Sequence, residues 1–132
     1  MPPPRPPASR NTPMGAGVEL LFLRDQDMRQ AQDLLMLACR AFNALIDEEL
    51  QAVGLGHAHY RIMQAIALHP GQAVGALLGT LGITKQSLNR ALGELLAMDL
   101  LRQQTAPQDR RRRQLYLTPR GMEIESRLFS LQ

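Results

Sequence analysis

Apolar residues recur at helical spacing through the first half of the chain. A wide stripe with steps of three and four positions runs through residues 18–53, formed by Leu34, Leu35, Ala38, Phe42, Leu45, Ile46, Leu50 and Val53. The acids at 47–49 fit an opposite, solvated face, and Gly54 and Gly56 would end the helix. The apolar run 18–23 predicts a short separate element before it. The stripe is wider than one small core needs, so we expect part of it to be buried against a second subunit.

Three shorter helices are predicted next. Residues 57–68 form the first and 73–81 the second, and Thr84 is a good N-cap for the third. The inward positions of all three are apolar: Ile62, Met63, Ile66, Val74, Leu77, Leu78, Leu88, Leu92, Leu95 and Leu96. The opposite side of the third helix is polar. A helix, a short turn at Gly82 and a second helix with a polar outer face form a helix-turn-helix.

Near the C-terminus the pattern changes to alternation, which predicts a hairpin. Residues 100–105 and 114–118 are predicted to be its two strands. The connecting loop would contain Pro107, Gln108 and the run Asp109-Arg110-Arg111-Arg112-Arg113. Thr118 and Pro119 then suit the N-cap and first position of a last helix. The sequence thus predicts a mostly α-helical fold with one small β-hairpin.

Charge is distributed unevenly along the chain. Residues 84–118 carry seven basic side chains against three acids, whereas residues 19–53 carry seven acids against three arginines. The net charge of +3 conceals this asymmetry. A polar, basic helix followed by an arginine-rich hairpin is suited to gripping duplex nucleic acid at two neighbouring places. The charge pattern therefore indicates a DNA-binding protein.

Composition limits the class of protein. The 132 residues, 45% of them apolar, have room for one domain with a modest core. Residues 1–17 hold six of the nine prolines and little apolar surface, so we expect a disordered tail. No apolar run has the length of a membrane span, and the N-terminus does not resemble a secretory signal. Together with a single cysteine, these features predict a cytoplasmic protein without membrane contact.

Sequence motifs of catalysis and metal binding are missing. There is no Gly-rich phosphate loop, no H-E-x-x-H, and no Ser or Cys with a plausible paired base. His57 and His59 are two positions apart, which on a helix points them in different directions and disfavours a shared metal. The apolar neighbours of Cys39 favour a packed small hydrophobe over a redox-sensing thiol. We predict a protein that is not an enzyme and that needs no cofactor or metal.

The arginines of the predicted loop suit contacts in and beside the minor groove of DNA. Arg111 is the candidate for insertion, because a planar guanidinium fits the narrow groove where negative potential is concentrated. Arg110, Arg112 and Arg113 can reach flanking phosphates. A solvated basic loop is the alternative.

The polar face of the second helix of the helix-turn-helix suits the major groove. Arg90 could read guanine through its two acceptors there, and Gln86 or Asn89 could read adenine. Three side chains near the helix N-terminus would contact phosphate instead: Thr84, Lys85 and Ser87. For any one of these side chains, membership of a generic polar face is the alternative.

These elements, taken in order, resemble the MarR family of winged helix-turn-helix transcriptional regulators. The residues that carry the likeness are 81–90 and 95–101, followed by Asp109-x-Arg111 and Leu117-Thr118-x-x-Gly121. An Asp, an Arg two residues on and a closing Leu-Thr-x-x-Gly form the wing signature of the family. Three further stretches resemble the PetP-type branch of that family: 18–22, 56–61 and 83–88.

The resemblance implies a fold and an assembly. Residues 18–132 would be one domain, with a winged helix-turn-helix at 57–118 and dimerisation helices in 18–56 and 119–132. The homodimer would act as a sequence-specific transcriptional regulator that straddles a pseudo-palindromic operator. The second helix of the helix-turn-helix would lie in the major groove and the wing in the minor groove. In the family the C-terminal helical region runs further than the 14 residues that follow Thr118 here. Either the N-terminal helices build most of the dimer, or the chain is shortened.

The resemblance also implies roles for single residues. Asp109 would orient Arg111 through a salt bridge, and His57, His59 and Tyr60 would line a pocket for an unidentified small-molecule effector. Two other classes of function stay open. A protein-interaction module could keep a winged-helix scaffold without specific DNA binding, although four consecutive arginines argue against it. An RNA-binding winged helix is the weaker rival, because no aromatic residue interleaves with the basic cluster.

Overall fold

The structure, a computed structural model, describes residues 24–132. The predicted disordered tail at 1–17 and the predicted element at 18–23 lie outside the described residues. The elements in chain order are α1 (Asp25–Ala44), α2 (Asp47–Val53), α3 (His57–Leu68), α4 (Val74–Leu81), α5 (Lys85–Ala97), β1 (Leu101–Ala106), β2 (Asp109–Leu117) and α6 (Pro119–Leu131). The chain divides into two compact units between Cys39 and Arg40.

The single helix predicted after residue 23, up to residue 53, is wrong, because a turn at Leu45 and Ile46 separates α1 from α2. Ile46 is fully buried there. The acids at 47–49 stand in the first turn of α2, where negative charge is stabilised by the helix dipole. They therefore begin a new helix rather than continue the polar face of the old one.

The apolar stripe is divided accordingly. Ile46 and Leu50 enter the core of the second unit, whereas every residue of α1 is exposed. The exposed set includes large side chains: Met28, Leu34, Leu35, Met36, Leu37 and Phe42. Cys39 is exposed as well, so its expected packing among apolar neighbours is not met within one chain.

The helix-turn-helix forms close to the predicted bounds. Helix α3 spans the predicted 57–68, and α5 follows an N-cap at Thr84, whose hydroxyl oxygen accepts the N–H of Ser87. Helix α4 starts one residue later than predicted, because Ala73 instead pairs with Gln114 of β2. The core beneath these helices is built largely from fully buried side chains: Ile62, Met63, Ile66, Leu77, Leu88, Leu95, Leu100, Leu115 and Leu128.

The hairpin differs from the prediction at its tip. Strands β1 and β2 pair antiparallel from Leu101↔Leu117 to Thr105↔Arg113, and the register then shifts to Ala106↔Asp109. The turn consists of residues 107–108 alone, so the basic run predicted to form a loop belongs to β2. Residues 110–112 have no partner in this register, and we call them the arginine bulge. A bulge increases the local twist and re-aims the side chains that it carries.

The Leu-Thr-x-x-Gly sequence joins the base of the hairpin to α6. The backbone N–H of Thr118 donates to Leu100 O at 3.1 Å, and its hydroxyl donates to Asp99 O at 2.6 Å. The same hydroxyl oxygen accepts the N–H of Gly121 at 3.0 Å, which caps α6. A Cβ on Gly121 would lie 2.1 Å from Leu100 O. The glycine is therefore required by the close approach of two backbone segments.

Candidate nucleic-acid interface

One face of α5 is polar and exposed while the other is buried. The buried face consists of Leu88, Ala91, Leu92 and Leu95. All six residues predicted to contact DNA from this helix and its cap are exposed: Thr84, Lys85, Gln86, Ser87, Asn89 and Arg90. The hydroxyl of Thr84 also donates to Ser87 Oγ at 2.9 Å, so these two residues cap the helix as well as facing solvent. The helix thus presents a continuous polar surface anchored by leucines beneath it.

Arg90 is held by a chain of two hydrogen bonds that begins on α3. Its Nε donates to Glu94 Oε1 at 3.2 Å, and the other carboxylate oxygen of Glu94 bonds His59 Nε2 at 2.5 Å. His59 Nδ1 accepts the backbone N–H of Gly56 at 3.0 Å, which leaves Nε2 to donate. The hydrogen bond from His59, followed by that from Arg90, holds the pKa of Glu94 below its ordinary value. Glu94 is therefore a carboxylate with both oxygens engaged.

The four wing arginines at 110–113 are exposed along β2. The expected salt bridge from Asp109 to the Arg111 guanidinium is wrong, since Asp109 Oδ1 instead accepts the backbone N–H of Arg111 at 2.9 Å. This contact follows from the bulge, where an Asp side chain can bond the backbone two residues ahead. Arg113 Nη1 donates to Gln103 Oε1 across the hairpin at 3.1 Å. Asp109 thus fixes the backbone from which Arg111 projects.

Two open grooves lie between the wing arginines and the start of α4. One of about 740 Å³ is lined in part by Gln72, Ala73 and Arg112. The other, of about 460 Å³, is lined by Val74 and Gly75 of α4 together with Arg111 and its neighbours. Free backbone N–H groups at a helix N-terminus attract anions, as arginines do. The second groove combines both features and can accept phosphate, whereas Asp109 adds a carboxylate to the lining of the first.

The sequence analysis did not identify a cation–π stack at the base of the wing. The Arg102 guanidinium stacks 4.5 Å from the centroid of the Tyr116 ring, its register partner across the hairpin. Tyr116 in turn lies on Gly71, where a Cβ would be 2.8 Å from the phenol oxygen. Gly71 donates its N–H to Leu115 O at 2.9 Å. The strand register would have revealed this stack, but alternation alone does not define that register.

The three residues proposed to line an effector pocket have three different hydrogen-bond partners. His57 Nε2 bonds Asp47 Oδ1 at 2.6 Å, His59 bonds Glu94, and Tyr60 is buried with its hydroxyl accepting a hydrogen bond from Gln64 at 2.8 Å. Burial, with a contribution from the nearby Glu125 charge, raises the pKa of Tyr60.

A separate groove of about 590 Å³ borders this region. It is lined by Arg61, Gln64, Ala65, Ala67, Leu68, Thr80, Leu81, Glu125 and Phe129. Burial raises the pKa of Glu125 at its wall. Gln64 links the groove to Tyr60, because it lines the groove and its side chain donates a hydrogen bond to the Tyr60 hydroxyl.

Within residues 24–132, no group of three or more His, Cys, Asp or Glu residues is arranged to hold a metal ion. In the same range, no helix combines the length and apolar character needed to cross a membrane.

Known proteins resemble the chain in sequence. A model of the MarR family matches residues 53–112. The HTH-type transcriptional regulator PetP of Rhodobacter capsulatus is 38% identical over 116 residues, which cover 88% of this chain and 70% of PetP. The resemblance to this family that the wing signature and helix indicated is confirmed.

Solved structures resemble the chain in fold. A MarR-family transcriptional regulator from Silicibacter pomeroyi is 30% identical, with a TM-score of 0.65 over 76% of this chain and 68% of that one. A mutant of MepR from S. aureus, bound to an oligodeoxyribonucleotide, has a TM-score of 0.67 over 76% of this chain and 75% of that one. At 17% identity, this second likeness shows the fold alone. The predicted winged helix-turn-helix fold is confirmed.

Proposed function

This chain belongs to the MarR family of transcriptional regulators, and we propose that it binds a specific pseudo-palindromic duplex as a homodimer. The observation that carries the proposal is a pair of exposed polar and basic surfaces on one domain. These are the polar face of α5 and the arginine-bearing strand of the wing. Transcription would be regulated through occupancy of that operator in the cytoplasm.

Helix α5 would enter the major groove and read bases. The exposed Arg90 can donate two hydrogen bonds to guanine, and Gln86 or Asn89 can bond adenine in the same groove. Thr84, Lys85 and Ser87, at the N-terminal turn, would contact phosphate.

The wing would lie along the minor groove. Arg111 is the side chain assigned to the groove itself, because its backbone is fixed by Asp109 and its guanidinium carries the charge that a narrow groove attracts. The neighbouring arginines of the wing would contact flanking phosphates. The groove of about 460 Å³ beside α4 supports this assignment, since it offers basic side chains and the N-terminus of a helix to one phosphate.

Dimerisation is proposed from the exposed apolar surfaces. Large apolar side chains of α1 are exposed, Phe42 among them, and on α6 Phe129 and Leu131 are exposed as well. Exposed apolar side chains in such numbers mark interaction surfaces. A second copy of the chain would cover them, with 18–56 and 119–132 forming the interface. The two-fold axis would then place two α5 helices about one turn of DNA apart.

A small-molecule effector is proposed for the region around Tyr60. The 590 Å³ groove next to it combines an apolar wall at Phe129 with polar groups on Arg61, Gln64 and Glu125. Concave sites of this composition suit small ligands. The hydrogen bond from Gln64 to Tyr60 would connect such a ligand to the core of α3.

Selection of bound fragments from a random duplex pool tests the proposal. We expect enrichment of one pseudo-palindrome, whose half-sites are about one helical turn apart. If the dimer neutralises about 8 phosphates, the logarithm of its affinity falls with the logarithm of salt concentration with a slope near −7. A pool without enrichment, or a binding constant insensitive to salt, would contradict the proposal.

A further inference from the structure

The side chain of Glu94 lies between a base-reading candidate and a histidine on another helix. Glu94 and Arg90 belong to α5 and are four residues apart, whereas His59 lies on α3 and is 35 residues from Glu94. The His59 side chain is 17% exposed, that of Glu94 44% and that of Arg90 83%. The chain of contacts therefore runs from a partly buried histidine to a side chain that is largely exposed to solvent.

We propose that His59 is a positioning residue for base readout, holding Arg90 through the Glu94 carboxylate in an orientation suited to one base pair. The proposal rests on the proposed function, because it takes Arg90 to read a base. It assigns no DNA contact to His59 itself. It adds a specificity-determining residue outside the helix that would enter the groove.

The bonding at His59 defines how it would act. Because Nδ1 accepts the N–H of Gly56, the neutral ring carries its proton on Nε2 and donates it to Glu94. Glu94 accepts from both sides, so its second oxygen has a fixed place from which to accept the N–H of Arg90 Nε. An Arg–Glu pair four residues apart on an exposed helix is weak alone. The hydrogen bond from His59 restricts the orientation of the Glu94 carboxylate.

A held guanidinium loses less freedom when it binds. Immobilising a long side chain at an interface costs about 0.5–1.5 kcal/mol. Because Arg90 would already be partly ordered in the free protein, less of this cost would arise on binding DNA. With Nε occupied, the two terminal nitrogens are the groups left for the bidentate contact with guanine. Loss of His59 should therefore reduce discrimination at the base pair read by Arg90 by about two- to tenfold.

Two substitutions at one position separate this role from helix capping. His59→Asn places an amide oxygen near the position of Nδ1, which keeps an acceptor for Gly56, but it cannot reach Glu94. His59→Gln places an amide nitrogen near the position of Nε2 and keeps a donor to Glu94. His69→Asn is the matched control, because His69 is an exposed histidine just past the other end of α3.

The measurement is the affinity of the full-length protein for the selected operator and for each single base-pair change in a half-site. His59→Asn should lose preference at one base pair per half-site and leave the salt slope unchanged, since no phosphate contact is removed. His59→Gln should restore most of the preference, and His69→Asn should match the unsubstituted protein. In the free protein, the Arg90 Nε–H signal in NMR spectra should exchange with water faster after His59→Asn.

The outcomes separate the two proposals. Unchanged base preference in a stably folded His59→Asn protein overturns the inference while the proposed function stands. Equal loss in both His59 variants also overturns it, because capping or packing would then account for the effect. An unsubstituted protein that selects no duplex sequence overturns the proposed function and this inference with it.

Discussion

Replacement of Gly121 by alanine should destabilise the protein although alanine is the better helix former. Gly121 lies in the first turn of α6, where alanine alone would gain about 1 kcal/mol. However, the added Cβ would lie 2.1 Å from Leu100 O, a backbone atom that cannot rotate away. Relief requires α6 to move from the hairpin base, where Leu100 O accepts the N–H of Thr118. Overpacking and a strained hydrogen bond together cost about 2–4 kcal/mol.

Thermal unfolding followed by circular dichroism at one protein concentration measures this cost. A loss of about 3 kcal/mol corresponds to a fall in Tm of roughly 10 °C for a chain of this size. Gly79→Ala is the control, since Gly79 is inside α4 and a Cβ there meets nothing within 4 Å. That variant should be as stable as the unsubstituted protein or up to about 1 kcal/mol more stable. A Gly121→Ala protein with an unchanged Tm would refute the close-approach argument.

Three further predictions concern the interface, the readout and pH. Phe42→Asp should dissociate the dimer and abolish operator binding, as seen by sedimentation and gel shift, because Phe42 is 48% exposed on the proposed interface; a dimer that persists would contradict this assignment. Arg111→Ala should weaken binding by roughly 1–3 kcal/mol, mainly on operators with A·T-rich flanks, whereas Arg90→Ala should change the preferred base within a half-site; equal weakening on every sequence would make Arg90 a phosphate contact only. Burial raises the pKa of Glu125, so its contribution to stability is fully present below its ordinary pKa and is lost as pH rises through the raised value. Glu125→Gln should accordingly raise the Tm at pH 7 and have little effect at pH 4, and the opposite order would contradict the direction of that shift.

The helices could be predicted because their signals are local. The apolar spacing and the N-caps at Thr84 and Thr118 depend on residues three or four positions apart, and both caps form as expected. The break at Ile46 could not be predicted in the same way. It reflects burial of one side chain in the core of the second unit, which the helical pattern through 18–53 does not encode.

The site shows the same division. The exposed face of α5 follows directly from the positions of its leucines, so the exposure of Arg90 could be predicted from their spacing. The connection from His59 to Glu94 could not, because it joins residues 35 positions apart on different helices. The basic run at 110–113 is visible in the sequence, but the bulge that holds Arg111 in a strand depends on the pairing register of the hairpin.

The most direct test of the proposed two-fold readout is the affinity for the selected operator before and after insertion of about five base pairs between its half-sites. The insertion rotates one half-site by half a turn of the helix, away from the face on which a rigid dimer presents its second α5. We predict two chains bound per intact operator and a large loss of affinity for the operator with the insertion. Equal affinity for both duplexes, or one chain bound with full affinity to an isolated half-site, would contradict dimeric recognition by this protein.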